Sequence, residues 1–487
     1  MDRPISRRLF SLGSVASTWL ASPALPSLWA KGPAPADTLL LATGKDAPRI
    51  RDVKAQIEIH GDLKLNPDGK ELRRVPLDVQ SKVHYHERNS KSKSPRGLRY
   101  YLVGNSQLKV GRTDFEYHLR DNNHLVGIGS SEKDEDLYSV TGPLLRDELE
   151  LLNGCINTLA LPELLPNGEK RINESWKIPE QVLARLLQFD VVHQSDIQGT
   201  LKAIESEIGL LYFQGTLQAS VGGVATEVDF KAKANFDRQR KFVRWIHLAY
   251  KENRSIGHAE PGYEATLQMK IVLTPQDNSP HLSDAALKQI AWDNEPITDL
   301  EFHPTKAPFR MQIGRHWRVV TDDPQSTIVR LVDRGDLIAQ GDISIVPDAP
   351  AGKMLPLEEF QQEVENALGD NFEQFAEASQ STTATGLRML RVVAVGVTNE
   401  LSIQWNYYHL SSNQGQQAVM VFTCESELVD RVADQDRNIA NSFDFHPRTA
   451  EPIAPETGST APAQAGFPRT PAAPSSASSK NRPVNVR

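Results

Sequence analysis

The sequence predicts an α+β protein built on two antiparallel-sheet domains. The first is a strongly curved sheet with short helices against it; the second is a sheet flanked by helices. Three observations carry this. Val224 to Phe236 alternates without a break, with Val224, Thr226, Val228, Phe230, Ala232, Ala234 and Phe236 on one side and Glu227, Asp229, Lys231 and Lys233 on the other. That is the period of a strand with one buried and one wet face. Helical spacing, by contrast, occurs only in short runs. Finally, the pattern changes across the proline-punctuated stretch 276–308, which is the expected junction between residues 45–275 and 309–446.

The alternating stretch sets its own register. The preceding segment carries Leu211, Phe213, Gly215, Leu217, Ala219 and Val221 in the opposite phase, and Gly222-Gly223 between them suits a two-residue hairpin turn. Closure there pairs Val221 with Val224, Leu217 with Val228, Gly215 with Phe230 and Phe213 with Ala232. Small residues then oppose large ones, and Gly215 is expected to leave room for the Phe230 ring. A slip of one residue would set Lys231 and Lys233 beside Phe213 and Leu211, so the register is strongly fixed.

The N-terminus reads as an address. Ser6-Arg7-Arg8-Leu9-Phe10 precedes a weakly apolar run, Leu12 to Leu28, interrupted by Ser22, Pro23 and Pro26. The run is poorly suited to a membrane span of roughly 20 apolar residues. The segment resembles a twin-arginine export signal, with Arg7 and Arg8 as the motif, although Ser11 and Leu12 replace its usual Leu-Lys. Ala24, Ala30 and Ala36 are the cleavage candidates, and removal of residues 1–36 is expected. The resemblance implies folding in the cytoplasm before export to the periplasm or outer envelope. The chain's 54 basic and 62 acidic residues give a charge of −8, and losing Arg3, Arg7, Arg8, Lys31 and Asp2 takes it to −11. Such a chain lacks the basic footprint of a nucleic-acid partner.

From Val53 the chain alternates through Ile57, Ile59, Leu63 and Leu65, turns at Asn66-Pro67-Asp68-Gly69, and returns through Leu77, Val79, Val83 and Tyr85. Arg99–Val103, Asp114–Leu119 and His124–Ile128 are further strands, and Glu132 to Asp136 an acidic loop. Pro143–Leu152 fits a helix, with Pro143 in its first turn and Gly154 beyond its end. Ile178–Leu187, starting at Pro179, is a second. Thr266–Leu273 adds a strand. Ala285–Trp292 can form a helical turn.

Beyond the junction, Trp317–Val320, Thr327–Val332 and Leu337–Ile345 read as strands, with a turn at Arg334-Gly335. Leu357, Phe360, Val364 and Leu368 mark an amphipathic helix that Gly369 stops. Leu387–Val397, Glu400–His409 and Gln416–Cys424 follow. A last helix capped by Ser426 carries Leu428, Val432 and Ile439 to Phe443. Closing the hairpin over Ser411–Gln414 sets Trp405 against Met420 and Ile403 against Phe422, and leaves Tyr408 exposed. The order β-β-β, helix, β-β-β, helix, with Asn441-Ser442-Phe443 at its close, resembles the PsbP-like fold over about residues 300–446. That resemblance implies accessory or assembly roles over catalysis. The first domain resembles poorly characterised β-rich exported bacterial proteins, especially from Leu161-Pro162 to Trp176, and at the level of architecture lipoprotein-carrier half-barrels. Residues 447–487, with eight prolines and almost no aliphatic cluster, are expected to be disordered.

Chemistry leaves few marks. His84 and His86 share one strand face, with Glu87 on the other, and can share a metal if His60 or His118 completes the set; two polar residues on a wet face is the preferred reading. The acidic loop lacks the spaced ligands of a calcium loop. Ser130 and Ser131 have no base nearby, and no Gly-x-Ser-x-Gly, Gly-x-Gly-x-x-Gly or phosphate loop occurs. Asp322-Asp323 reads as a turn before Pro324. Arg334-Gly335-Asp336 is explained by hairpin geometry better than by adhesion. Cys155 and Cys424 lie in different predicted domains and read as buried thiols. No catalytic residue and no cofactor are assigned. The expectation is a non-catalytic exported accessory or binding protein, whose partner is an envelope protein or an apolar ligand held between the curved sheet and helices Leu144–Leu152 and Val182–Leu187. It meets the membrane only through its signal. The alternative is an exported metal-dependent hydrolase using His84 and His86.

Overall fold

The Gly222-Gly223 hairpin closes in the expected register. The computed structural model describes residues 37–446 apart from 45–46, 67–70, 90–96, 130–136, 289, 291–296, 306, 324–325 and 351. The signal with Arg7 and Arg8, the Pro67–Gly69 turn, the acidic loop and the 447–487 tail therefore lie outside the described residues. In the hairpin, Val221 pairs with Val224, Leu217 with Val228, Gly215 with Phe230 and Phe213 with Ala232. Val228, Phe230, Ala232, Ala234 and Phe236 are buried, and Lys231 and Lys233 are exposed. The role of Gly215 differs from expectation. Its φ is +146°, and a Cβ there would lie 2.6 Å from Asp196 Oδ1 and 2.7 Å from Ile197 Cα. The Asp196 carboxylate and the Ile197 backbone, not the Phe230 ring, fill that space.

Thirteen strands form this first sheet among the described residues. Its centre is an antiparallel run of long strands: Ile208–Val221, Val224–Asp237, Phe242–Arg254, Gly262–Gln276, Ile50–Leu65, Arg73–Asn89 and Gly97–Val110. The early hairpin thus joins the late one through Ile50–Leu65 on Gly262–Gln276. The inner face is covered by helix Arg146–Asn153, the 3₁₀ turn Thr158–Leu164 and helix Glu180–Leu187, which bury Leu149, Leu152, Leu161, Leu183 and Leu186. Pro143 is not in the first helical turn, as expected above. Leu144–Leu145 form a short strand parallel to Leu300–Glu301, and the helix begins at Arg146. The Glu148 carboxylate accepts from the Leu145 amide at 2.8 Å, satisfying one of the N–H groups a helix start leaves unpaired.

Beneath the 3₁₀ turn lies a buried polar knot. Glu87, fully buried, accepts from Arg51 Nη2 at 2.7 Å, Arg99 Nε at 3.0 Å and Thr158 Oγ1 at 2.5 Å. Arg99 also stacks over the Tyr85 ring, 4.8 Å from its centre. A buried carboxylate survives there because two guanidiniums and a hydroxyl replace its water.

The second sheet orders seven strands as Trp317–Asp322, Thr327–Asp333, Asp336–Val346, Gln417–Glu425, Leu401–Ser411, Arg388–Thr398 and Phe372–Thr382. Helix Leu357–Leu368 packs Phe360, Val364 and Leu368 on one face, against Leu390, Val392, Trp405 and Val421. The other face, with Tyr408, Met420 and Phe422, joins the main core. Four strands, not three, follow the helix. Phe372–Thr382 is an edge strand exposed along most of both faces, so it carries no alternation to read. The following hairpin also differs. Its turn spans Ser412–Gln416, so Ile403 pairs with Glu425 and Trp405 with Thr423, and Tyr408 is buried, its hydroxyl donating to Asp436 at 2.7 Å. The strand is buried on both faces from Trp405 to Leu410, so apolarity could not fix its register. The last helix is broken. Ala433 and Asp434 take left-handed conformations between Val429–Val432 and Gln435–Ser442, and Ser426 bonds Ser402 at 2.8 Å instead of capping.

Residues 276–308 hold more structure than a linker. Helix Asp284–Leu287 stops short of the expected turn. Strand Leu300–Phe302 pairs with Leu144–Leu145 and with Phe309–Ile313, which in turn pairs with Asp444–Phe445. Phe230 and Met269 of the first sheet and Trp317 and Met420 of the second belong to one hydrophobic cluster. The two hairpin tips also touch, since a Cβ on Gly223 would collide with the Gly335 amide.

Candidate ligand cleft

The inner face of the first sheet is not fully filled. A cleft of about 1020 Å³ opens between it, helix Arg146–Asn153 and the Leu300–Phe302 and Trp317–Asp322 strands. Each wall follows from strand or helix periodicity. Leu267, Ala265 and Tyr263 alternate inward on one strand, and Ile59 and Leu63 do so on its neighbour. Leu149 and Leu145 face it from the helix side, and Phe302, Ile313 and Val319 from beyond the junction.

The inward row of strand Phe242–Arg254 runs Ile246, Leu248, Tyr250, Glu252, so the wall changes from apolar to charged along one strand. Arg254 grips Glu252 Oε1 through Nε at 3.1 Å and Nη2 at 2.7 Å, and lies 4.7 Å from the centre of the Tyr263 ring. Burial and then Glu252 push the Tyr263 phenol well above its ordinary range. Arg318 is paired with Glu260. Arg146 donates to the carbonyls of Arg315 at 2.8 Å and Trp317 at 3.1 Å. Burial and the neighbouring Arg318 bring its guanidinium down to about 10. Burial likewise raises the carboxyls of Glu150 and Asp147, which line the same cleft.

The cleft lies where an apolar ligand was expected, between the first sheet and the first helix, with Leu187 and Phe189 at the end of the second helix also lining it. Its charged residues were not foreseen. One signal was present: Glu252 continues the inward phase of Ile246 to Tyr250, and a charge at an inward position marks a pairing or a cavity.

The other predicted sites fall elsewhere. His84 and His86 do share a face, turned away from the cleft. His84 Nε2 contacts Asp52, and His86 Nδ1 is 2.9 Å from the buried Ser279 hydroxyl, with burial lowering the imidazole pKa despite Asp52. His60 instead pairs with Asp78, and His118 with Glu116. No three His, Cys, Asp or Glu side chains are grouped to hold a metal among the described residues. Cys155 and Cys424 are free and buried, their thiols pushed up to about 12 by burial, which keeps them un-ionised. Asp322 accepts from the Thr305 amide at 2.8 Å, and Asp323 and Ser326 close a turn. Arg334-Gly335 is a hairpin turn, and Asp336 pairs with Arg431. No helix among the described residues is long and apolar enough to cross a membrane.

No protein-family model matches the chain. No curated protein matches it in sequence. Solved structures show weak similarity over part of the chain. The Ran-binding protein Mog1p of Saccharomyces cerevisiae is 9% identical, with 30% of this chain and 95% of that one covered at a TM-score of 0.24. A lipovitellin structure concerned with lipid–protein interactions is 11% identical, covering 50% of this chain and 27% of that one at 0.29. Cyanobacterial PsbP from Synechocystis is 13% identical, covering 36% of this chain and all of that one at 0.25. In part of its length, the chain is weakly similar in structure to PsbP and Mog1.

Proposed function

We propose that this chain is a non-catalytic accessory or binding protein of the bacterial envelope, reached by twin-arginine export, that holds an apolar ligand in the cleft. The cleft itself carries the reading: about 1020 Å³ walled by Ile59, Leu63, Leu149, Leu267 and Phe302. That is just above the roughly 300–1,000 Å³ usual for small-molecule sites. An alkyl chain of about ten methylenes would gain roughly 8 kcal/mol from burial at about 0.8 kcal/mol each. Association costs at least about 4 kcal/mol, so an alkyl chain alone binds weakly and polar contacts must supply the rest.

Native mass spectrometry of the full-length protein recovered after export tests the proposal. A retained organic mass is expected, and its loss on Leu267→Arg, with circular dichroism unchanged, places it in the cleft. Stoichiometric metal lost on His84→Ala, with no organic ligand, would replace this reading by the metal-dependent hydrolase.

A further inference from the structure

Resting on the cleft as the ligand site, we infer that its occupant is an amphiphile with a cationic, amine-type head, not an anionic one such as a fatty acid. The lining carries five carboxylates, Asp147, Glu150, Glu252, Glu260 and Glu301, against three guanidiniums, Arg146, Arg254 and Arg318. The balance is therefore negative before any ligand enters.

The partners sharpen this. Arg254 is turned onto Glu252, Arg318 onto Glu260 and the Arg315 carbonyl, and Arg146 onto two backbone carbonyls. An anionic head at Arg254 or Arg318 would meet the carboxylate already seated there, Glu252 or Glu260. The carboxylates divide differently. Glu252 and Glu260 have those arginines, and Glu301 has Arg120 at 2.8 Å and His303 at 3.2 Å. Asp147 and Glu150 have no hydrogen-bonded or ion-paired side chain among the described residues. They project from helix Arg146–Asn153 beside the apolar wall formed by Leu149. Partial desolvation raises both carboxyls, although both residues remain exposed. A cation there relieves that cost, whereas an anion adds to it. The head then sits at Asp147 and Glu150 while the alkyl chain runs along Leu149, Leu267 and Ile59.

Three probes of one chain length separate the possibilities: dodecylamine, dodecanol and dodecanoate, titrated into the full chain at neutral pH below their micelle-forming concentrations. Dodecylamine is expected to bind at least about tenfold tighter than dodecanoate, with dodecanol between them. The double variant Asp147→Asn, Glu150→Gln should erase the amine's advantage and leave dodecanol binding unchanged. Equal or tighter binding of dodecanoate, or a preference that survives the double variant, overturns the head assignment and leaves the apolar cleft standing. Leu63→Trp, at a half-buried wall position, should weaken all three probes. If none of the three binds, or Leu63→Trp binds them as the wild type does, the cleft reading falls and the head assignment with it.

Discussion

Glu87, on a strand of the first sheet, and Glu150, on the helix Arg146–Asn153, are treated in opposite ways. Around Glu87 the polar groups close on one another: Arg51, Arg99 and Thr158 all donate to one carboxylate. Around Glu150 they do not. Arg146, the first of the charges that lower it, bonds two backbone carbonyls through Nη2, and the carboxylate lines the cleft. A satisfied buried charge fixes structure, and an unsatisfied one beside a cavity waits for a partner from outside. The first knot ties the 3₁₀ turn at Thr158 to the sheet; the second group makes no such tie.

The largest expected effect lies at the knot. Glu87→Ala leaves Arg51 and Arg99 buried without their counter-ion, and breaking such a pair costs about 3–5 kcal/mol. A urea melt checks this. A cost below about 1 kcal/mol would mean that water reaches the two arginines, and would dissolve the contrast with the cleft.

The same residue sets an acid limb. Burial alone would raise the Glu87 carboxyl, but Arg51, Arg99 and the Thr158 hydroxyl outweigh it and hold it below the usual glutamate range. Below an unfolded value of about 4.3 the unfolded chain therefore takes up this proton first. The stability Glu87 contributes is complete above that value and is lost as pH falls through the folded one. Denaturant midpoints measured downward from pH 6 should drop in the wild type and more shallowly in Glu87→Gln. Parallel curves would assign the acid limb to other carboxylates.

How much of this was legible follows from which faces are wet. Phe230 and Lys231 alternate because their strand has one exposed face, so the hairpin could be paired residue by residue. Tyr407 and Tyr408 are both buried, one toward Phe360 and the other toward Phe422, and their strand gives no phase. Its register came out three residues away from the observed pairing. At Phe372–Thr382 the cause is the reverse, exposure along most of both faces, and the strand went unseen. The apolar cleft could be anticipated because helix Arg146–Asn153 and the sheet both present leucines. The unpaired carboxylates could not, because Asp147 and Glu150 have the spacing of an ordinary wet helix face. Only the strands Leu300–Phe302 and Trp317–Asp322, folded across that helix, turn part of it inward.

The smallest effect is the most specific. Burial, then the like charge of Asp147, raises Glu150 above the usual glutamate range, with Arg146 and Arg318 opposing. A raised folded value reverses the sign found at Glu87. Glu150 favours folding only while protonated, so its contribution is full below about pH 4.3 and is lost as pH rises through the folded value. At neutral pH it is therefore a liability, and Glu150→Gln should stabilise the ligand-free protein. The side chain is open to water in the cleft, which screens the penalty, so the gain should be no more than about 0.5 kcal/mol. The gain should fade as pH is lowered toward 4, where the wild-type carboxyl takes its own proton. It should also shrink in the presence of dodecylamine, because the amine neutralises the wild-type charge and has nothing to neutralise in the variant. Paired melts at pH 4 and 7, with and without the amine, read all three differences. A Glu150→Gln protein less stable than the wild type at pH 7 would mean that the carboxylate already has a partner inside the protein, and Glu150 would then belong with Glu87 as a structural charge.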